Sequence, residues 1–319
     1  MIATVGVEGE TAIAAGSGGW WDDDTGLVSF GLVGQATSYW TGQPGEWAGY
    51  AVGVGDLDGD GALDLAIGAP GVPAIYTQPV STDESVPIGQ GGAAVRSSGP
   101  EWTVGESLIV DDLDGGGVDD LLFSVWSDAG GAYMVAGPVV GEMSADDAVS
   151  VLPCVAPYLA LASADLDGDG YREVVVGDSL VDSGAGEVHV ANLSGAEMGT
   201  FQMDWGRQIG SALATGDMDG DGDADLVVGA PGDPGAMHGQ EGAVYILAGP
   251  LEGGAMAADL VLEGEHDGGA GCALAVGDAD GDGADDLLVG APSPQMDDGE
   301  STVYYGTVYL MLDLGADLP

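Results

Sequence analysis

The chain has 319 residues, with 54 acidic side chains against three arginines (Arg96, Arg172, Arg207) and no lysine, for a formal charge of −51. A surface of that sign repels phosphate backbones and anionic lipid heads, which argues against nucleic-acid and membrane-surface partners. No stretch of 18 apolar residues could insert in a membrane, and Met1 to Glu10 lacks the basic and apolar runs of a signal peptide.

Apolar residues make up 45% of the chain, enough for a core, and the 60 glycines show no three-residue period. Glycine mixed with Val, Leu, Ala and Asp, and no long amphipathic run, implies an all-β fold of short strands and tight turns. Cys154 and Cys272 are too few for a disulfide framework and lack metal-pair spacing, so both are expected as free thiols.

In chain order, the first unit is the most divergent. Ala3 to Val7, Ala12 to Gly16 and Gly26 to Phe30 read as three strands, with the short turn Glu8-Gly9-Glu10 between the first two. Five gap-free segments follow, starting at Asp56 (DLDGDGALDLAIG), Asp112 (DLDGGGVDDLLFS), Asp165 (DLDGDGYREVVVG), Asp217 (DMDGDGDADLVVG) and Asp278 (DADGDGADDLLVG). Starts 56, 53, 52 and 61 residues apart suit one four-stranded propeller blade per repeat. Seven residues before the first Asp stand Gly49, Gly105, Gly210 and Gly271, with Tyr158 in the third copy. Twelve residues after it stand Gly68, Gly177, Gly229 and Gly290, with Ser124 in the second copy.

Around the Asp217 loop, Ile209 to Thr215, Leu226 to Gly229, Ala243 to Leu247 and Asp259 to Leu262 read as four strands by alternation and turn punctuation. The third strand recurs at 131–134, 186–189, 242–245 and 306–309. The expectation is one β-propeller domain over 1–319, of six blades at about 1–46, 47–101, 102–156, 157–204, 205–265 and 266–319. A truncated seven-bladed ring is the alternative, since little chain follows Tyr309 for a last strand.

The acidic loops point to calcium, a hard cation taking six to eight oxygens at about 2.3–2.6 Å. Carboxylates at positions 1, 3, 5 and 9 and a main-chain carbonyl at position 7 supply most of that shell. The first site is Asp56, Asp58, Asp60 and Asp64 with the carbonyl of Ala62. The others are Asp165, Asp167, Asp169 and Glu173 with Tyr171; Asp217, Asp219, Asp221 and Asp225 with Asp223; and Asp278, Asp280, Asp282 and Asp286 with Ala284. The Asp112 loop is degenerate: Gly116 replaces the third carboxylate, leaving Asp112, Asp114 and Asp120 with the carbonyl of Val118. An EF-hand is excluded, because position 12 is Ile67, Phe123, Val176, Val228 or Val289 where that motif needs Glu. The alternative account of these clusters is acidic turns. Close carboxylates repel one another unless a cation sits among them, and the recurrence favours the metal. Asp22 to Asp24, Asp297 and Asp298 follow no repeat and read as a solvated surface.

The pattern resembles the FG-GAP repeat of integrin α-subunits and of many bacterial surface and secreted proteins, over nearly the whole chain. Gly-Ala-Pro stands at 68–70, 229–231 and 290–292, while Ala48-Gly49, Val104-Gly105, Ile209-Gly210 and Ala270-Gly271 keep the glycine of the Phe-Gly half without its phenylalanine. The resemblance implies a propeller with calcium between the first and second strands, and a role in adhesion or recognition.

Three functions are compared. A non-catalytic recognition module, extracellular or on the cell surface, would use calcium structurally and meet a protein or glycan ligand through rim loops. A polysaccharide-degrading enzyme would need a nucleophile motif or clustered histidines, yet His189, His238 and His266 are scattered and no G-x-S-x-G or H-E-x-x-H occurs. Paired carboxylates leave glycoside hydrolysis open. A lectin would stack sugars on tryptophan. Trp20, Trp21 and Trp126 follow second strands and are the contact candidates, whereas Trp47, Trp102 and Trp205 precede first strands and are expected to pack between blades, and Trp40 is unplaced.

Overall fold

The computed structural model describes residues 2–7, 10–17, 27–32, 35–80, 86–89, 92–99, 103–127, 130–154, 158–202, 207–232, 241–264, 268–292, 295–297, 302–304, 306–312 and 314–318. Among them the fold is all-β, its only helical pieces being Ala145–Asp147, Val181–Gly184 and Leu314–Asp317. The chain divides into two compact units, Met1–Tyr158 and Leu159–Pro319.

The first unit holds three antiparallel meanders, the blades of a propeller architecture. Blade 1 runs Ile2–Val7, Glu10–Ser17, Leu27–Leu32 and Gln35–Thr41, the last a strand beyond those read from the sequence. Blade 2 runs Val52–Gly55, Asp64–Ala69, Ala74–Pro79 and Ala93–Arg96. Blade 3 runs Thr103–Asp111, Asp120–Trp126, Gly131–Val135 and Val149–Pro153.

The second unit repeats the plan. Blade 4 runs Ala160–Ala164, Glu173–Asp178, Glu187–Ala191 and Glu197–Gln202. Blade 5 runs Ala212–Gly216, Asp225–Ala230, Ala243–Leu247 and Leu260–Glu263. Its first strand begins three residues later than the sequence reading, because Gly210 has φ +82° and breaks the extended run after Ile209. Blade 6 shows three strands among the described residues, Ala273–Gly277, Asp286–Ala291 and Thr307–Met311, with a ribbon of Gln295–Asp297 and Thr302–Tyr304 between the last two.

Burial explains the apolar runs. All six residues of Asp64–Ala69, Glu173–Asp178 and Asp225–Ala230 are buried, as expected of a strand covered on both faces. In the first unit one cluster joins blades 2 and 3 through Ile75, Val95, Leu108, Leu121, Phe123 and Tyr133. In the second, Val175, Val188, Phe201, Leu226, Val228 and Tyr245 join blades 4 and 5, and Val227, Val244, Ile246, Leu287 and Val289 join blades 5 and 6.

The two conserved-spacing glycines are partners across neighbouring blades. A Cβ on Gly68 would lie 2.0 Å from the Gly105 carbonyl oxygen, and one on Gly229 would lie 2.2 Å from that of Gly271. Backbone thus meets backbone, and both Gly105 and Gly271 take φ values above +90° that an L side chain rarely adopts. Tyr158, where the third copy departs, also keeps a left-handed φ of +63°. Its departure and that of Ser124 fall on positions that pair in the other copies.

Outer edges are guarded by the same device three times. Val86–Pro87, Glu142–Ser144 and Gly254–Ala255, each from the loop before a fourth strand, pair in parallel with the fourth strand of the preceding blade. An open strand edge invites pairing with other chains, and these short segments occupy it.

Candidate metal centres

Each acidic loop links a first to a second strand, and its own carboxylates fold it. In the Asp56 loop, Asp56 accepts the N–H groups of Gly59 (2.9 Å) and Gly61 (3.0 Å). Asp58 accepts from Asp60 at 3.0 Å, and Asp60 from Ala62 at 2.7 Å. Asp64 Oδ2 accepts from Leu57 and Asp58 at 3.1 and 3.2 Å. Glycine at positions 4 and 6 takes φ of +79° and +85°, the left-handed turns that aim these N–H groups inward. The Asp165, Asp217 and Asp278 loops repeat the position-1 bonds, with Gly168 and Gly170 on Asp165, Gly220 and Gly222 on Asp217, and Gly281 and Gly283 on Asp278.

Positions 1, 3 and 9 converge in four of the loops: Asp56, Asp58 and Asp64; Asp112, Asp114 and Asp120; Asp165, Asp167 and Glu173; Asp217, Asp219 and Asp225. In the last loop the convergent group is Asp278, Asp280 and Asp282. Within each group one carboxylate oxygen per residue lies within 4.8 Å of the others. Asp60, Asp169 and Asp221, at position 5, stand outside these groups and bond the position-7 N–H of Ala62, Tyr171 and Asp223. Asp286 stands outside the last group, its Oδ2 accepting from Ala279 at 2.8 Å. The Asp112 loop keeps its triad although Gly116 replaces the third carboxylate.

Position 9 begins the second strand and is buried in all five loops, with Asp64, Asp120, Glu173, Asp225 and Asp286 between 1% and 5% exposed. Burial pushes the Asp64 and Asp225 carboxyls up to about 6, reinforced by the neighbouring carboxylates of Asp58 and of Asp219 and Asp217. Burial also raises Asp120 and Glu173. These are costly places for bare charge, and a bound cation offsets that cost. The donor set fits calcium: oxygen only, anionic and partly preorganised by main-chain hydrogen bonds. The Asp112 Oδ1 atom gives an independent sign, being buried with no hydrogen-bond partner.

Two supporting features escaped the sequence reading. Ala-Gly-Pro recurs after third strands at 136–138 and 248–250, and there the N–H of Gly137 and of Gly249 donates to Asp120 Oδ1 and Asp225 Oδ1, both at 2.8 Å. Position 8 holds a carboxylate in two loops, Asp119 and Asp285, each bonded to the neighbouring loop. Only the recurrence of the residues signalled either.

The remaining candidates separate. Trp47 does not pack between blades: it is 44% exposed with φ +52°, and the neighbouring Ala48 takes the fully buried place. Trp126, at the end of its second strand, is 48% exposed, and Trp40 is fully buried. Trp20, Trp21, Trp102 and Trp205 lie outside the described residues, as do His238 and His266. His189 sits on a third strand, its Nδ1 2.8 Å from Glu197 Oε1. Arg96 pairs with Glu142 at 3.0 Å and lies over the Tyr76 ring, and Arg207 donates to the Tyr245 hydroxyl. Neither Cys154, which is buried, nor Cys272, which is exposed, is in a disulfide. No helix among the described residues is long and apolar enough to cross a membrane.

The FG-GAP repeat family matches the chain at residues 48–83, 209–247 and 270–311, the segments holding the Asp56, Asp217 and Asp278 loops. Integrin alpha-PS2 of Drosophila melanogaster is 34% identical over 149 residues, covering 42% of this chain and 10% of that protein. Human phosphatidylinositol-glycan-specific phospholipase D is 41% identical over 114 residues, covering 32% of this chain and 13% of the enzyme, and the rat enzyme is 43% identical over 112. The chain therefore spans only 10–13% of the length of these curated relatives. Repeat, blade and loop agree: the chain carries three FG-GAP repeats in an all-β propeller architecture similar to that of integrin α-subunits.

Proposed function

We propose that this chain is a calcium-loaded recognition module working outside the cell or on its surface, in which the metals are structural and loops at the blade ends meet a protein or glycan ligand. The observation that carries the reading is the convergence of three carboxylates in each of five loops, at positions 1, 3 and 9 in four of them, with a buried acid at position 9 in all five. With three arginines in the chain, most of the compensating charge has to come from solution.

Asp56, Asp58, Asp64 and their counterparts would hold the ion, with the position-5 carboxylates and the carbonyls of Ala62, Val118, Tyr171, Asp223 and Ala284 as further oxygen donors. Calcium would supply charge neutralisation and a fixed loop. At ten times its dissociation constant each ion adds about 1.4 kcal/mol to stability. Four such sites matter to a chain with 60 glycines, whose backbone loses much entropy on folding. Millimolar calcium outside cells suits modules of modest affinity. The similarity to an integrin α-subunit supports recognition. Exposed Trp126 favours glycan among the possible ligands.

Thermal unfolding in chelator and across a calcium titration, with magnesium as control, tests the proposal. A calcium-specific rise in melting temperature, reduced by Asp217→Ala, is expected. A melt indifferent to calcium would reduce the loops to acidic turns and leave adaptation to salt as the account of the charge.

A further inference from the structure

Neighbouring blades also meet at the loops themselves. Asp119, position 8 of the Asp112 loop, accepts the Asp56 N–H on Oδ2 at 2.7 Å, and its own N–H donates to the Asp56 carbonyl at 3.0 Å. In the other unit Asp285, position 8 of the Asp278 loop, does the same to Asp217, at 3.0 and 2.7 Å. The residue before the clamped aspartate is glycine both times. A Cβ on Gly55 or Gly216 would lie 2.2 or 2.5 Å from the clamping carboxylate oxygen. The Asp165 and Asp217 loops are also neighbours, since Gly168 faces Asp223 and Pro250, but they carry Ala164 and Ala224 at the two positions. No such clamp joins them among the described residues.

We propose that Asp119 and Asp285 are positioning residues that couple adjacent calcium loops, Asp56 with Asp112 and Asp217 with Asp278, so that filling either loop raises the affinity of its neighbour. The proposal rests on the calcium reading of the loops and adds to it. Position 8 lies between two expected donors of its own loop, the position-7 carbonyl and the position-9 carboxylate. An ion that fixes residues 284–286 therefore also fixes the Asp285 carboxylate and N–H. Those two groups hold the main chain of Asp217, the first ligand of the next loop. The hydrogen bond to a carboxylate is charge-assisted, and ordering completed by the first ion is not required again of the second. Thermodynamic linkage makes the effect reciprocal. The Asp165 and Asp217 pair, without the clamp, should fill independently and serves as the internal control.

The test follows calcium binding by NMR on the full chain, reading the Gly222 and Gly283 amides. Each donates to the first aspartate of its own loop, at 3.0 and 3.2 Å, and so reports that loop alone. Asp278→Ala should weaken calcium at the Gly222 reporter by about fivefold or more, the lower range of typical couplings. In an Asp285→Ala background that dependence should vanish, whereas Asp285→Asn, which keeps an oxygen acceptor for the Asp217 N–H, should retain it. Gly216→Ala should reproduce Asp285→Ala by displacing the carboxylate. In chelator, hydrogen exchange at the Asp217 amide should quicken in Asp285→Ala, a readout independent of metal. Unchanged exchange there, or a Gly222 titration indifferent to Asp278→Ala, overturns the coupling while leaving the calcium reading intact. Amides that do not respond to calcium in any loop overturn both.

Discussion

Replacing Asp58 with asparagine should change stability in opposite directions with and without calcium. One Asp58 oxygen accepts the Asp60 N–H at 3.0 Å, a bond an asparagine oxygen can keep, so the loop conformation should survive. What is lost is a charge grouped with Asp56 and Asp64, the ligand oxygens lying within 4.8 Å. Two unit charges at about 4.8 Å repel by about 0.9 kcal/mol in a water-like dielectric, the relevant limit for an exposed side chain. Two such pairs amount to about 2 kcal/mol, and the unfolded chain retains part of that repulsion, leaving a gain of about 1 kcal/mol in chelator. In calcium the same change removes an anionic donor. At a hundredfold excess of calcium, a hundredfold loss of affinity cancels about 2.3 kcal/mol of binding stabilisation, which outweighs the gain of about 1 kcal/mol carried over from the metal-free state and leaves a net loss of about 1 kcal/mol. At roughly 2–4 °C per kcal/mol for a unit of this size, the variant should melt a few degrees above the parent in chelator and a few degrees below it in calcium. Differential scanning calorimetry of both proteins in both media measures this directly. A shift of the same sign in the two media would refute the idea that these carboxylates are held together for a cation.

Three further outcomes are expected. Folded-state values near 6 for Asp64 and Asp225 lie above the ordinary carboxylate value, so the folded protein holds protons that the unfolded chain has already released. That contribution is fully present below about pH 4 and is lost as pH rises through 6, so melting temperature in chelator should fall over this window while the increment from calcium grows; parallel curves would contradict it. Gly229→Ala places a Cβ 2.2 Å from the Gly271 carbonyl oxygen and should cost about 1–3 kcal/mol or more by forcing the blades apart, in calcium and in chelator alike, as read by urea denaturation. Trp126→Ala removes an aromatic that is 48% exposed and should abolish retention on any glycan the protein binds without lowering its melting temperature; unchanged retention removes Trp126 from the ligand surface.

Much of the fold was legible because the repeat shows itself in small residues. Gly105 and Gly271 mark left-handed backbone, Gly68 and Gly229 mark the surfaces those turns press on, and the buried second strands read as unbroken apolar runs. The blade 1 strand Gln35–Thr41 was missed because it has no counterpart motif and ends in a polar turn. Trp47 was misread for a different reason: its position before a first strand suggested packing, but a left-handed residue turns its side chain away from the path its neighbours follow. The acidic positions that converge in the loops could be read from spacing, apart from Asp60, Asp169, Asp221 and Asp286, which stand outside the groups. Their inequality could not, since burial of Asp64 or Asp225 beside the exposure of Asp58 depends on where the second strand enters the core.

Position 9 explains why loss of metal should be felt beyond the loop. Asp225 closes its own loop by accepting the Met218 N–H at 2.7 Å, and it ties down the exit of the third strand by accepting the Gly249 N–H at 2.8 Å. The same carboxylate opens a second strand buried along its whole length. Asp120 holds the equivalent bonds from Leu113 and Gly137 in the other unit. Protonating such a group relieves its desolvation but weakens an acceptor shared by two elements, whereas a cation relieves the same charge and leaves both oxygens as acceptors. A bound ion and the main-chain bonds would therefore support each other at a residue where the hydrophobic core begins. Chelation should first release the amides of residues 218 and 249, whose partner is Asp225, and only later those within Asp225–Ala230, whose ladder is covered on both faces. Hydrogen exchange measured after calcium removal reads that order, and simultaneous release would mean that each blade opens as a whole.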